Sequence, residues 1–303
     1  MKSILALALQ AVSLGVVAGS YVLKDDFNGS NFFDNFYYNS ATDASKGYVE
    51  YVNQTVAESS GLVSYHESKN WLYVDNTTVA SFPGRKSVRI QSNNVYNQGL
   101  FLFDVSHIPW GCGTWPAIWT SGANWPDSGE IDIMEGTNEN TYNSMTLHST
   151  ANCTMTNVSQ NMTGTMTASG CGASTGCSVK DSRSTAYGHG FNIGGGGVFA
   201  MEWLTTGIKV WNFARADIPS DITSGSPDPT TWPTPQADFP FGSNCPSTNF
   251  KNQYIILNTD FCGLANQTFS SCGSDCVSYV SENPQDFSDA FFTVNYIKVF
   301  NQQ

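Results

Sequence analysis

Three carboxylates fall within six residues in the segment Gly129-Glu-Ile-Asp-Ile-Met-Glu-Gly136, in a chain where charged residues make up only 13%. Paired carboxylates suit general acid–base and nucleophilic work, one held protonated and the other ionised. Read as a strand, the segment puts Glu130 and Asp132 on one face and Ile131 and Ile133 on the other. An unbroken strand would turn Glu135 into the core, where an unpaired carboxylate is costly. One extra residue at Ile133 or Met134, a β-bulge, returns Glu135 to the face of Glu130 and Asp132. With the bulge the two Glu lie four strand positions apart, roughly 13 Å at about 3.3 Å per residue. Side chains reaching inward by about 3.5 Å each bring the carboxyls to about 6 Å. That is near the roughly 5–5.5 Å of a retaining glycosidase, and inverting spacing begins at about 6.5 Å. Asp132 between them adds like charge, which raises a neighbour's pKa and keeps a proton available. The alternatives for this acid row are a solvated acidic strand or a calcium site.

The surroundings favour sugar. Trp110, Trp115, Trp119 and Trp125 crowd just upstream of Glu130. Sugar rings stack their C–H faces on indoles, and their hydroxyls need polar partners. His148, in Thr146-Leu-His-Ser149, is expected on the next strand within reach of the acids. Other patterns match by accident. Gly172-Ala-Ser-Thr-Gly176 has nucleophile-elbow spacing but lies between two cysteines in a Thr-rich stretch, without the strand and helix that motif requires. Asp127-Ser-Gly129 lacks the second copy of an aspartic-protease dyad. Gly194–Gly197 lacks the Lys-Ser/Thr of a phosphate loop.

These elements must be positioned by strands. Short alternating runs recur: Ser87–Gln91, Gly99–Asp104, the hairpin Gly197–Trp203 and Ile208–Phe213 around a Gly turn, and the final Phe291–Phe300. Many strands joined by Gly, Asn, Ser and Pro turns predict an all-β sandwich or jelly roll. Asn152–Ser178 and the proline-rich Asp217–Asp238 are expected to be long surface loops.

Of 303 residues, 13 are basic and 25 acidic, a net charge of −12. That disfavours nucleic acid and anionic membrane as partners. Residues 1–20 read as a secretory signal, with Lys2 and a mostly apolar run from Ile4 to Ala18. Residues 21–303 are then expected to form a single catalytic domain, secreted and extracellular, with no hydrophobic tail expected to anchor it. The eight Cys favour disulfides over zinc, since Cys272 and Cys276 have no His at finger spacing. Sequons start at Asn28, Asn53, Asn76, Asn152, Asn157, Asn161 and Asn266, and several are expected to carry glycans.

Taken with Gly111-Cys-Gly-Thr-Trp-Pro-Ala-Ile-Trp119, Asn124-Trp-Pro126, Met145–His148, Ala200–Trp203, Phe261-Cys-Gly263 and Tyr296–Val299, the acidic segment resembles glycoside hydrolase family 16, in its fungal endo-β-1,3(4)-glucanase or laminarinase branch. Glu-x-Asp-x-x-Glu is similar to the bulged laminarinase form, not the unbulged form of lichenases and wall transglycosylases. The resemblance implies a concanavalin A-like β-jelly-roll sandwich with a concave cleft and a retaining double displacement. It implies Glu130 as nucleophile, Glu135 as acid/base and Asp132 as the residue orienting and tuning the nucleophile. Arg89, Trp119, Trp125 and His148 fall where that branch contacts sugar. The expected partner is β-1,3 or mixed β-1,3(4)-glucan, with no cofactor or catalytic metal and a monomer as default. The family pattern continues Phe-Cys-Gly-Asp-Trp, whereas Gly263 is followed by Leu264-Ala265. Asn212 also replaces an aromatic, and together these predict a weaker aromatic wall at one end of the cleft. The alternatives are a cell-wall glucan transglycosylase, a noncatalytic lectin-like glucan-binding protein, and a structural wall glycoprotein that would leave the acids unexplained.

Overall fold

The computed structural model describes residues 20–303, so the expected signal segment 1–20 lies, apart from Ser20, outside the described residues. Two eight-stranded antiparallel sheets face each other, as the β-sandwich reading predicts. In spatial order the first contains Thr165–Ala168, Cys177–Asp181, Asn143–His148, Glu130–Glu135, Thr114–Gly122, Gln253–Phe261, Arg89–Ser92 and Phe36–Tyr38. The second runs Ala237–Pro240, Gly207–Ala214, Gly197–Leu204, Gly99–His107, Phe291–Gln302, Lys69–Tyr73 and Val63–His66, with Tyr21–Asn28 also paired to Phe291–Gln302. A short parallel pair, Val49–Tyr51 and Arg85–Ser87, stands apart.

Alternation along the strands builds the core between the sheets. Phe101, Phe103 and Val105 point inward from the second sheet to meet Ile131, Met134 and Leu147 of the first. Leu100 and Leu102 point the other way and are also buried, under Trp211, Phe213 and Trp232. The expected surface loop Asp217–Asp238 therefore does more than connect strands. Its Ile222 and Trp232 cover the back of the second sheet, and Trp232 Nε1–H is held by Asp221 at 2.8 Å. The expected loop Asn152–Ser178 also differs. Thr165–Ala168 within it adds an edge strand beside Cys177–Asp181.

The predicted hairpin forms, but its turn is the pair Thr205-Thr206, and Gly207 opens the second strand opposite Leu204. All eight cysteines pair, as Cys112–Cys272, Cys153–Cys245, Cys171–Cys177 and Cys262–Cys276. No helix of the described residues is long and apolar enough to cross a membrane.

Candidate active site

The acidic strand lies between Thr114–Gly122 and Asn143–His148. Glu130 pairs with Ser121 and His148, and Asp132 with Trp119 and Thr146. The register then slips. Asp132 faces Trp119 and Met134 faces the next residue back, Ile118, so Ile133 is the extra residue. Ile133 and Met134 are consecutive and both join the core between the sheets, the two-against-one arrangement of a bulge. Glu135 thereby returns to the acid face, opposite Ala117.

A bulge interrupts the backbone ladder, and Asn143 repairs it. Its Nδ2 donates to the Ile133 carbonyl at 3.0 Å and its Oδ1 accepts from the Glu135 N–H at 3.0 Å. This fully buried amide fixes where Glu135 leaves the bulge. Sequence reasoning missed it, because an Asn at the start of the next strand carries no signal of its own. Gly129 enters the strand at φ +76°, and a Cβ there would lie 2.5 Å from the Phe250 ring. Only glycine fits that close approach. Gln253 secures the same entry, donating to the Gly129 carbonyl at 3.0 Å and accepting from Thr120 at 2.9 Å.

The three carboxyls open onto a cleft of about 610 Å³. Trp115, Trp119, Trp125 and Tyr254 line it, and Arg89, Asn258 and Asp260 supply polar groups. Trp125 is 51% exposed at the rim, a free indole face. Trp119 donates to Asn258 at 2.7 Å, and Asn258 donates to the Tyr51 hydroxyl at 2.9 Å. The Arg89 guanidinium lies 4.8 Å from the Trp119 ring centre, and its Nε is buried without a partner among the described residues. Trp115 donates its indole N–H to Glu135 at 2.7 Å. Trp110 does not join the others. It donates to the Asn140 carbonyl and packs near His189. Asn212 is buried outside the cleft, donating to the Ala186 carbonyl, so its departure from the family pattern leaves the cleft wall unchanged.

His148 stands behind the acids and does not line the cleft. Its Nε2 is 3.5 Å from Asp132 Oδ2, and its Nδ1 is 3.0 Å from the Ala173 carbonyl. Both neighbours accept hydrogen bonds, which favours the doubly protonated ring. Burial opposes that charge, but Asp132 and then Glu130 outweigh it and push the His148 pKa up. The elbow-like Gly172–Gly176 turn thus holds the histidine through Ala173 and supplies no nucleophile.

Burial is the largest influence on each acid and pushes all three upward. Glu130 is pushed further by Asp132 and pulled back by His148, Trp125 and Arg89. Asp132 is pulled back chiefly by His148. Glu135 is pulled back by the Trp115 N–H and pushed up by Glu130. Glu130 has two cations nearby, His148 and Arg89, and Glu135 has His148 alone. The set titrates as a unit. Single ligand atoms of Glu130, Asp132 and His148 lie within 4.8 Å of one another, a spacing that would suit a cation. A doubly protonated imidazole has no lone pair to offer one, so the donor set fits proton sharing better. Cys112, Cys272 and Glu139 also cluster, but both sulfurs are in a disulfide.

Residues 36–300 match the family model described as XgeA-like, catalytic GH16 domain. The chain is 42% identical to a probable endo-1,3(4)-beta-glucanase of Aspergillus niger, over 98% of its own length and 42% of that protein's. It is 39% identical to an endo-1,3(4)-beta-glucanase of Arthroderma benhamiae, over 94% of this chain and 66% of that one. It therefore spans about half the length of several curated relatives it matches. Among solved structures, laminarinase 16A from Phanerochaete chrysosporium with beta-glucans in donor and acceptor sites aligns with a TM-score of 0.88 at 39% identity, covering 93% of this chain and 100% of that one. An elongating family 16 beta-1,3-glucosyltransferase aligns at 0.87 and 38%, with the same coverage.

Proposed function

This chain belongs to glycoside hydrolase family 16, and we propose that it is a secreted endo-β-glucanase cleaving β-1,3 or mixed β-1,3(4)-glucans with retention. The observation that carries the reading is the Ile133 bulge, which puts Glu130, Asp132 and Glu135 on one face beneath tryptophans. We read residues 21–303 as one catalytic domain behind a signal of 20 residues.

In the first step the Glu130 carboxylate attacks the anomeric carbon while Glu135 gives its proton to the departing glycosidic oxygen. A glycosyl ester forms on Glu130 and the leaving chain gains a hydroxyl. Glu135, now ionised, takes a proton from water, whose oxygen attacks the same carbon and releases Glu130. Two inversions leave the configuration retained. Asp132 and His148 hold the charge beside Glu130 through both steps. Trp119, Trp125 and Arg89 stack and bind the sugar on the Glu130 side.

The test is release of reducing ends from laminarin, barley mixed-linkage glucan, xyloglucan and carboxymethyl cellulose, with Glu130→Gln as control. Release from laminarin or barley glucan, lost in the variant, supports the reading. A second reading keeps the site and replaces water by a sugar hydroxyl. The likeness to the elongating glucosyltransferase favours it. Products longer than the substrate at high acceptor concentration would establish it. Binding without new reducing ends or longer products would favour the lectin-like alternative.

A further inference from the structure

A second groove of about 580 Å³ continues the cleft, sharing Ser45 and Trp115 with it. Trp115 is the residue bonded to Glu135, so this groove lies at the acid/base end, where the departing chain leaves. Three large apolar side chains stand exposed along it. Phe82 is 91% exposed, Val277 45% and Leu264 38%, and all three face this groove. Exposed aromatic and aliphatic faces of this kind can be covered by the C–H faces of a sugar.

The same groove is lined by Asn266, the first residue of the Asn266-Gln-Thr268 sequon. Asn266 is exposed, and its side chain makes no hydrogen bond among the described residues, so its Nδ2 is available. Its backbone N–H bonds to the Cys262 carbonyl beside the Cys262–Cys276 disulfide, which fixes the point of attachment. No other sequon asparagine lines either cavity.

We propose that Asn266 carries an N-linked glycan that lies over Phe82, Leu264 and Val277 and closes the acid/base end of the cleft to long glucan. The inference rests on the secreted glucanase reading above. Sugar C–H faces cover apolar side chains, while Lys46 and Gln267 at the groove meet hydroxyls. Tethering replaces a bimolecular contact by a local concentration in the millimolar range, and the three exposed side chains together offer stacking to more than one ring. A free glucan extending past Trp115 then competes with the chain's own sugar for the same aromatic surface.

The protein is to be secreted from a glycosylating yeast and its Asn266 peptide weighed before and after endoglycosidase treatment. The expected result is an occupied Asn266. Asn266→Gln should lower KM for long laminarin by about two- to tenfold, the worth of one aromatic stacking contact, with kcat unchanged. Adding Phe82→Ala to Asn266→Gln should cancel that gain. Phe82→Ala alone should speed endoglycosidase release of the Asn266 glycan from the native protein. An unoccupied Asn266, or an occupied one with KM for long laminarin unchanged in Asn266→Gln, overturns the proposal. If no form releases reducing ends, the glucanase reading fails, while the release rate from Phe82→Ala still decides whether the glycan seats on the patch.

Discussion

Replacing His148 by Gln removes the positive charge facing Asp132 while keeping a donor for the Ala173 carbonyl. His148, Glu130 and Asp132 place ligating atoms within 4.8 Å of one another. At that distance, with an effective dielectric near 20, one charge pair is worth about 3.5 kcal/mol, or about 2.5 pH units. His148 retains 19% side-chain exposure, so screening trims this, and a shift of about 1–2 units is expected. The sign follows from its effect on the acids. His148 lowers the pKa of Glu130, Asp132 and Glu135, so its loss raises all three. The nucleophile must be ionised, so the acid limb of the kcat/KM profile moves to higher pH. The alkaline limb, set by the proton on Glu135, moves the same way. On the acid limb kcat/KM should fall about 10- to 100-fold and should recover as the pH rises. The assay is initial rate on laminarin across pH 3–9. An acid limb that stays in place or moves to lower pH refutes the electrostatic role given to His148.

Asn143→Ala strips partners from the Ile133 carbonyl and Glu135 N–H. Two buried backbone groups left unpaired should cost about 2–5 kcal/mol in urea unfolding, with kcat reduced more than KM is raised. Asp260 is pushed up to about 7 by burial and then by Asp43. A raised carboxyl contributes stability below its unfolded value and loses it as pH rises through its folded value, so Tm should fall between about pH 4 and 7 and level off above. Asp260→Asn should flatten that decline in calorimetry. Cys112–Cys272 closes 160 residues and Cys171–Cys177 closes 6. By loop-closure entropy, replacing the first pair with Ser should cost about 5 kcal/mol against about 2 for the second, read as the difference in denaturation midpoints.

The acid face was legible because period-2 alternation and the cost of burying Glu135 leave one solution, an extra residue at Ile133 or Met134. The structure has it at Ile133. The hairpin was legible for a similar local reason. What could not be read depends on long-range contacts. Four tryptophans look alike in sequence, but only the fold separates Trp110, turned to Asn140, from the three that line the cleft. Arg85 is fully buried with no acid partner among the described residues. It donates to the carbonyls of Asp75 and Val280 and lies 4.5 Å from the Phe287 ring centre. Those partners sit up to 195 residues away, out of reach of any pattern. His148 was placed near the acids by strand adjacency, yet its position behind Asp132 rests on a loop closed by Cys171–Cys177. Thr165–Ala168 was hidden by its Thr-rich composition, and its strand character comes from the neighbour it pairs with.

Removing the Glu130 carboxylate tests its role as nucleophile most directly. Glu130→Gly should lose nearly all turnover of an activated β-1,3-glucosyl substrate, and sodium azide should restore part of it. With the carboxylate gone, azide attacks from the face Glu130 had occupied and Glu135 still serves as acid. NMR of the product should therefore show an α-glucosyl azide, inverted relative to the substrate. A β-configured azide, or rescue in Glu135→Gly but not in Glu130→Gly, would contradict the assignment.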